Sequence, residues 1–170
     1  MLTVEDGSVV SGADSFISLV DARALAAKYG WTLPADDTAA EVSLRNGVQY
    51  VDLQEPRFTG SRVSQEQALS WPRTGATNSF GYEIPSDSIP AQAQCAQVAA
   101  AAEYGAGTDV RASSDGKNVQ SEEVVGAVKQ SFFNNGKSSS TVQITRALDC
   151  LKPLMINSGG NFYNFRVNRG

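Results

Sequence analysis

The chain has 170 residues, 41% of them hydrophobic, with 14 Lys and Arg against 18 Asp and Glu, a net charge of −4 and no histidine. That length allows one domain with a real core, and the acidic balance argues against a surface built to grip phosphates. Without histidine there are no Ser–His or Cys–His nucleophile pairs and few zinc sites to consider.

The carboxylates fall in adjacent pairs (Glu5–Asp6, Asp36–Asp37, Glu122–Glu123) rather than in spaced ligand sets. No catalytic residue, metal or cofactor is therefore expected, and the chain reads as a non-enzyme. No apolar run reaches the roughly 18 residues of a membrane span, and the opening MLTVEDGSVV lacks the basic and apolar regions of a signal peptide. The apolar residues are rich in Ala and Val, and Gly, Ser, Asn and Thr are plentiful. This is the composition of a modest core whose burial is completed in an assembly.

Residues 1–17 carry only short SVV and SFI fragments and predict an extended arm. Ser18-Leu-Val-Asp21 is a capping-box-like start for a first helix over about Leu19–Tyr29, closed by Gly30 in the left-handed cap position. Leu19, Ala22, Ala26 and Tyr29 form its apolar face. Trp31–Pro34 is a linker, and Thr38-x-x-Glu41 repeats the capping pattern before a second helix over about Ala39–Leu53. Leu44, Val48 and Val51 form its core stripe, flanked by Tyr50. Gly47, which costs about 1 kcal/mol against Ala in mid-helix, predicts a close helix crossing.

Phe58–Gly75, FTGSRVSQEQALSWPRTG, lies between helices yet cannot be one, because Gly60 interrupts it and Pro72 both removes a donor and restricts Trp71. It predicts a rigid corner made by Leu69, Trp71, Pro72, Arg73 and Gly75. Trp71 is expected either simply to pin the loop to the core or also to support an Arg73 and a Thr74–Phe80 loop that project towards a partner. Pro90, at a favoured first helical position, opens a third helix to about Tyr104. Its run of alanines, from Ala91 to Ala102, leaves it small on every side and so central to the bundle.

From Thr108 the pattern becomes strand-like, and residues 108–134 predict a β-excursion from the helical body. Asp115–Gly116 is its expected hairpin turn and Asn134–Gly136 a further turn. A fourth helix is expected over about Val142–Leu151, with Ile144, Leu148 and Leu151 inward and Pro153 as its stop. Cys95 and Cys150 fall in separate helices without metal spacing. In a cytosolic chain they are expected as reduced thiols able to touch rather than as a structural disulfide. Residues 157–170 form a second unit after domain 1–156: a Gly linker and an arm bearing Phe162, Tyr163, Phe165, Arg166 and Arg169, residue types favoured at interfaces. So short a segment needs a surface to dock on, on the same chain or on a neighbouring subunit.

Ser15-Phe-Ile-Ser18 before Asp21-Ala22, Phe58-Thr-Gly60-x-Arg62, Gln67-Ala-Leu-Ser-Trp-Pro-Arg-Thr-Gly75, Ile89-Pro90 and Ala147-Leu-Asp-Cys-Leu-Lys-Pro-Leu154 together resemble a family of tailed-phage proteins labelled DnaT-like single-strand-binding proteins. The likeness covers residues 13–155, and its Trp-Pro-Arg motif is the most specific part. Genes of this type lie among phage head genes, and the helical pattern resembles the head-to-tail connector, or head-completion, adaptors. The resemblance implies a structural virion protein of the neck, present in host cytoplasm before assembly. It would form rings of twelve with neighbouring copies, dock on the portal protein, meet the next tail component and let DNA pass without specific binding. On this reading Phe162, Tyr163, Phe165, Arg166 and Arg169 bind the portal. The family label implies instead a single-stranded-DNA-binding accessory of replication. A single-strand binder needs a basic groove with aromatic platforms, whereas twelve copies of this chain would carry roughly −48 charges, a field that repels phosphate. The sequence therefore predicts a mainly α protein: a four-helix adaptor body with a β-hairpin excursion and extended N- and C-terminal arms.

Overall fold

The computed structural model describes residues 1–107 and 144–156, together with strand residues 113–114, 121–124, 128–131 and 140–141. The described residues are mainly helical, and among them are four α-helices and three small two-stranded antiparallel sheets.

Helix α1 spans Leu19–Tyr29. The Ser18 Oγ accepts the Asp21 N–H at 3.1 Å and donates to the Asp21 carboxylate at 2.6 Å, so the capping pair closes side chain to side chain. Gly30 ends the helix at φ 67°. Helix α2 spans Asp37–Asp52 and begins earlier than the Thr38–Glu41 pattern predicts. Its cap is Asp36, whose carboxylate accepts the Ala39 N–H at 2.8 Å. A negative cap also complements the positive end of the helix dipole, which a Thr hydroxyl does not.

Helix α3, Ala91–Gly105, is the centre of the body: α1, α2 and α4 all pack on it. Pro90 stands just outside as the cap residue rather than as its first helical residue. Ala93, Ala96, Ala99 and Ala100 face a larger core built from Phe16, Val48, Tyr50, Val51, Trp71 and Leu151. Val98 and Ala101 face a smaller core with Ile17, Ala22, Ala26, Leu33 and Leu44. The small side chains let α2 come close. At Gly47 a Cβ would collide with the Gln97 carbonyl oxygen and lie 3.1 Å from the Ala101 nitrogen, so the predicted crossing is real.

Helix α4 is short, Thr145–Leu151, and starts later than the expected Val142. Ile144 is extended and buried, and its N–H goes to the Tyr50 hydroxyl at 2.9 Å instead of to a helical partner. Pro153 sits inside a closing 3-10 turn, Lys152–Leu154. Cys95 of α3 and Cys150 of α4 pair as a disulfide, with Cα atoms 5.9 Å apart. This corrects the expectation of two reduced thiols: the two helices meet where the cysteines face each other.

Residues 1–17 are non-helical, as predicted, but lie along the body. Val4 bridges to Ser15, and Ala13, Phe16 and Ile17 are buried. The buried Glu5 carboxylate accepts the N–H groups of Gly7, Val9 and Val10 at 2.9, 3.0 and 2.8 Å. Gln97, fully buried on α3, accepts the Phe16 N–H at 2.9 Å and donates to Ser15 Oγ at 2.8 Å and Leu44 O at 3.0 Å. One side chain thus joins the N-terminal segment, α2 and α3.

Strands β1 (Ser61–Arg62) and β2 (Arg73–Thr74) pair across the corner, with Ser61 opposite Thr74. In the β-excursion, β3 (Ser113–Ser114) pairs with β6 (Ser140–Thr141), while β4 (Ser121–Val124) and β5 (Val128–Ser131) form the hairpin. Strand β6 lies beyond the expected limits of the excursion, 108–134. Residues 115–116 and 134–136 lie outside the described residues.

Candidate interaction surface

The predicted corner forms, and it faces inward. Leu69, Trp71, Pro72 and Arg73 are buried and Gly75 is exposed at φ 64°. The Trp71 ring packs on Phe58 with centroids 5.5 Å apart, and the Trp71–Pro72 peptide is cis. Arg73 is only 5% exposed, which corrects the reading that it projects towards a partner. Its guanidinium donates to Thr59 O at 2.8 Å, Gly60 O at 2.7 Å, Ser70 O at 3.3 Å and the Glu55 carboxylate at 3.0 Å. Glu55 also takes a two-pronged pair from Arg62, at 2.7 and 2.5 Å. Its pKa is lowered chiefly by the Arg62 hydrogen bonds, with Arg73 adding to them.

Gln67 completes the corner. It accepts the Val63 and Ser64 N–H groups at 2.9 and 3.2 Å and donates to Leu69 O at 2.7 Å and Pro72 O at 3.0 Å. Asp52, at the end of α2, accepts the Ser70 N–H at 2.9 Å; burial pushes its pKa up, against the hydrogen bond from Ser70. Side chains thus satisfy the carbonyls of Thr59, Gly60, Leu69, Ser70 and Pro72, while Ser70 Oγ and Trp71 Nε1 are buried without a hydrogen-bond partner among the described residues. The Arg, Glu and Gln residues of the corner hold the chain in shape.

What projects is the loop beyond. Phe80 and Tyr82 are 78% and 72% exposed. Asn78 organises their turn by accepting the Phe80 and Tyr82 N–H groups at 3.0 Å, and the Ser79 N–H donates to Pro153 O at 2.7 Å. This ties the loop to the end of α4.

Beside Pro153 opens a groove of about 530 Å³ whose lining includes Tyr29, Trp31, Cys95, Cys150 and Pro153 together with Arg146 and Asp149. Tyr29, expected on the inward face of α1, is half exposed and stacks on Trp31 at 4.8 Å and 20°. The reason lies in Gly30: its left-handed turn brings the next residue back beside the last helical one. Lys28 Nζ sits 5.8 Å over the Tyr29 ring. Arg146 pairs with Glu103 at 3.0 Å, and Lys152 with Asp149 at 2.5 Å.

Sequence reasoning did not find the groove, whose walls come from three distant segments. Its one local signal was the pair of aromatics flanking a helix-ending glycine. The predicted partner-binding residues Phe162, Tyr163, Phe165, Arg166 and Arg169 lie outside the described residues. Ile156, the last described residue of the body, donates its N–H to Arg57 O at 2.7 Å. Among the described residues no group of Cys, Asp and Glu gathers to hold a metal, and no helix is long and apolar enough to cross a membrane.

No curated protein matches this chain, and no solved structure does. A family match covers residues 1–170, the whole chain, and its description is "Putative DnaT-like ssDNA binding protein". The chain belongs to that family.

Proposed function

We propose that the protein works by joining other proteins, as a structural, ring-forming head-to-tail adaptor of a phage virion that docks on the portal and extends the DNA channel towards the tail. The observation that carries this reading is the fate of the cations. Arg23, Arg45, Arg62, Arg73, Arg146 and Lys152 are all engaged in ion pairs with carboxylates of the same chain. Lys28 and Arg57 stand outside these ion pairs, and Arg57 Nη1 donates instead to Gln54 Oε1 at 3.2 Å. Phosphate contacts depend on cations whose own counter-charges are released on binding; here the counter-charges are built in. The exposed Phe80 and Tyr82 are the surface type that protein partners cover. The ring, the portal and the virion location rest on the resemblance carried by the Trp-Pro-Arg and associated motifs.

The second reading, single-stranded DNA binding, has the direct support of the family description, and the comparisons name no head-to-tail role. It is also favoured by the stacked Tyr29 and Trp31 beside Lys28 and Arg146, since base stacking on aromatics is worth about 1–3 kcal/mol per base. Light scattering of the protein alone and mixed with the cognate portal ring separates the two. Adaptor function predicts a defined multimeric complex with the portal. A monomer that ignores the portal and binds oligonucleotide removes that reading in favour of the second.

A further inference from the structure

We propose that the groove between the end of α1, the start of α3 and α4 is the docking site of the chain's own C-terminal segment, Phe162–Arg169. This assignment does not depend on the adaptor reading: it concerns what fills the groove, whichever partner the protein serves.

The walls specify the occupant's chemistry. Trp31, Tyr29, the Cys95–Cys150 pair and Pro153 give the cleft of about 530 Å³ a mainly apolar lining, to which Gln92, Arg146 and Asp149 add polar groups. Ring stacking and sulfur–aromatic contact are the interactions such a cleft offers. Phe162, Tyr163 and Phe165 are the aromatic residues of the stretch that follows the body.

The tether brings them within reach. Pro153 is itself a groove residue, and Ile156, three positions on, is fixed to Arg57 by a 2.7 Å hydrogen bond. The six residues from there to Phe162 span up to about 20 Å, through a Gly159–Gly160 pair that imposes little direction. A linker of that length holds the segment at an effective concentration of about a millimolar, so even a weak site fills from its own chain before another copy supplies it.

Charge agrees. Asp149 is the last acidic residue of the sequence, so residues 157–170 carry Arg166 and Arg169 without a carboxylate side chain. The lining of the groove includes Asp149 and, paired to its Arg146, Glu103. Each holds one cation, and Glu55 shows within this same molecule that one carboxylate can take two.

Trp31 reports occupancy. The other tryptophan, Trp71, is fully buried, so a soluble quencher reaches Trp31 alone, and a Trp31→Phe variant verifies the source of the signal. Acrylamide quenching is measured on the full chain and on a full-chain Phe162→Ala/Tyr163→Ala/Phe165→Ala variant, with circular dichroism confirming that both are folded. The variant should quench about twofold more steeply, and a synthetic peptide of residues 157–170 should restore protection to it while binding the parent at least about tenfold more weakly. Equal quenching in both proteins overturns the assignment. Protection of the parent that vanishes on dilution together with a dimeric mass would give the groove to a second copy's segment and also overturns it. So does equal protection of both proteins by oligo(dT), which would make the groove a base-stacking site.

Discussion

Replacing Gly47 by alanine tests the helix crossing on which the body is built. The substitution suits α2 locally, where Ala is favoured over Gly by about 1 kcal/mol. The new Cβ would overlap the Gln97 carbonyl oxygen and sit 3.1 Å from the Ala101 nitrogen and 3.2 Å from its Cβ. These are mainly backbone atoms that no rotamer change can move aside, so α3 must shift. Overpacking of this kind costs about 1–3 kcal/mol and occasionally more. The shift also stretches the three hydrogen bonds of Gln97 to Phe16, Ser15 and Leu44, each worth about 1 kcal/mol. The net expectation is a loss of about 2–4 kcal/mol. Urea unfolding followed by circular dichroism should show a lower midpoint at unchanged slope, with Tm reduced by roughly 5–15 °C. Stability equal to or above the parent would mean that α2 and α3 are not in contact at Gly47, and the central position of α3 would fall with it.

Arg73→Ala should cost about 2–4 kcal/mol, because it leaves Thr59 O, Gly60 O and Glu55 short of a buried donor; unfolding equal to the parent would return Arg73 to the surface. Glu55 has a lowered pKa, so its contribution is complete above the ordinary carboxylate range and is lost as pH falls through that range towards the folded value. A Glu55→Gln variant should therefore lose less stability than the parent on acidification, and an identical acid slope would contradict the pairing. Asp52 has the opposite sign, since its raised pKa makes the charged form the unfavourable one in the fold. Asp52→Asn, which keeps an acceptor for the Ser70 N–H, should be at least as stable as the parent at neutral pH by the same urea assay; a clear loss would show that the charge itself is needed. Protein unfolded without reductant should show no free thiol, and the Cys95→Ser/Cys150→Ser variant should be less stable by up to about 4 kcal/mol for a separation of 55 residues; two titratable thiols would contradict the disulfide.

The helices were legible because their signals are local. Ser18 and Gly30 bracket α1, the Leu44–Val48–Val51 stripe marks α2, and the alanine run of α3 announces the helix on which the others pack. Gly47 even foretold a contact, since a mid-helix glycine has few other reasons to be there. The errors arose where a residue's partner is far away in sequence. Ile144 gives its N–H to Tyr50, which delays α4; Cys95 meets Cys150 across the α3–α4 packing; Arg73 turns inward because Glu55 and the carbonyls at Thr59 and Gly60 wait for it. Gln97 went unremarked for the same reason, because a buried polar residue looks like a surface one until its partners, here Ser15, Phe16 and Leu44, are placed. The candidate surface was the least legible. Tyr29 satisfied the helical period of α1 and was assigned to the core, yet the turn at Gly30 stacks it on Trp31 outside.

A titration of fluorescently labelled oligo(dT) with the full chain, at low and at physiological salt, tests most directly whether the protein joins proteins or holds DNA. With Arg23, Arg45, Arg62, Arg73, Arg146 and Lys152 paired to internal carboxylates, no saturable binding is expected at micromolar protein in either buffer. Saturable micromolar binding that weakens steeply with salt would contradict this, because such a slope counts phosphates neutralised by the chain's lysines and arginines.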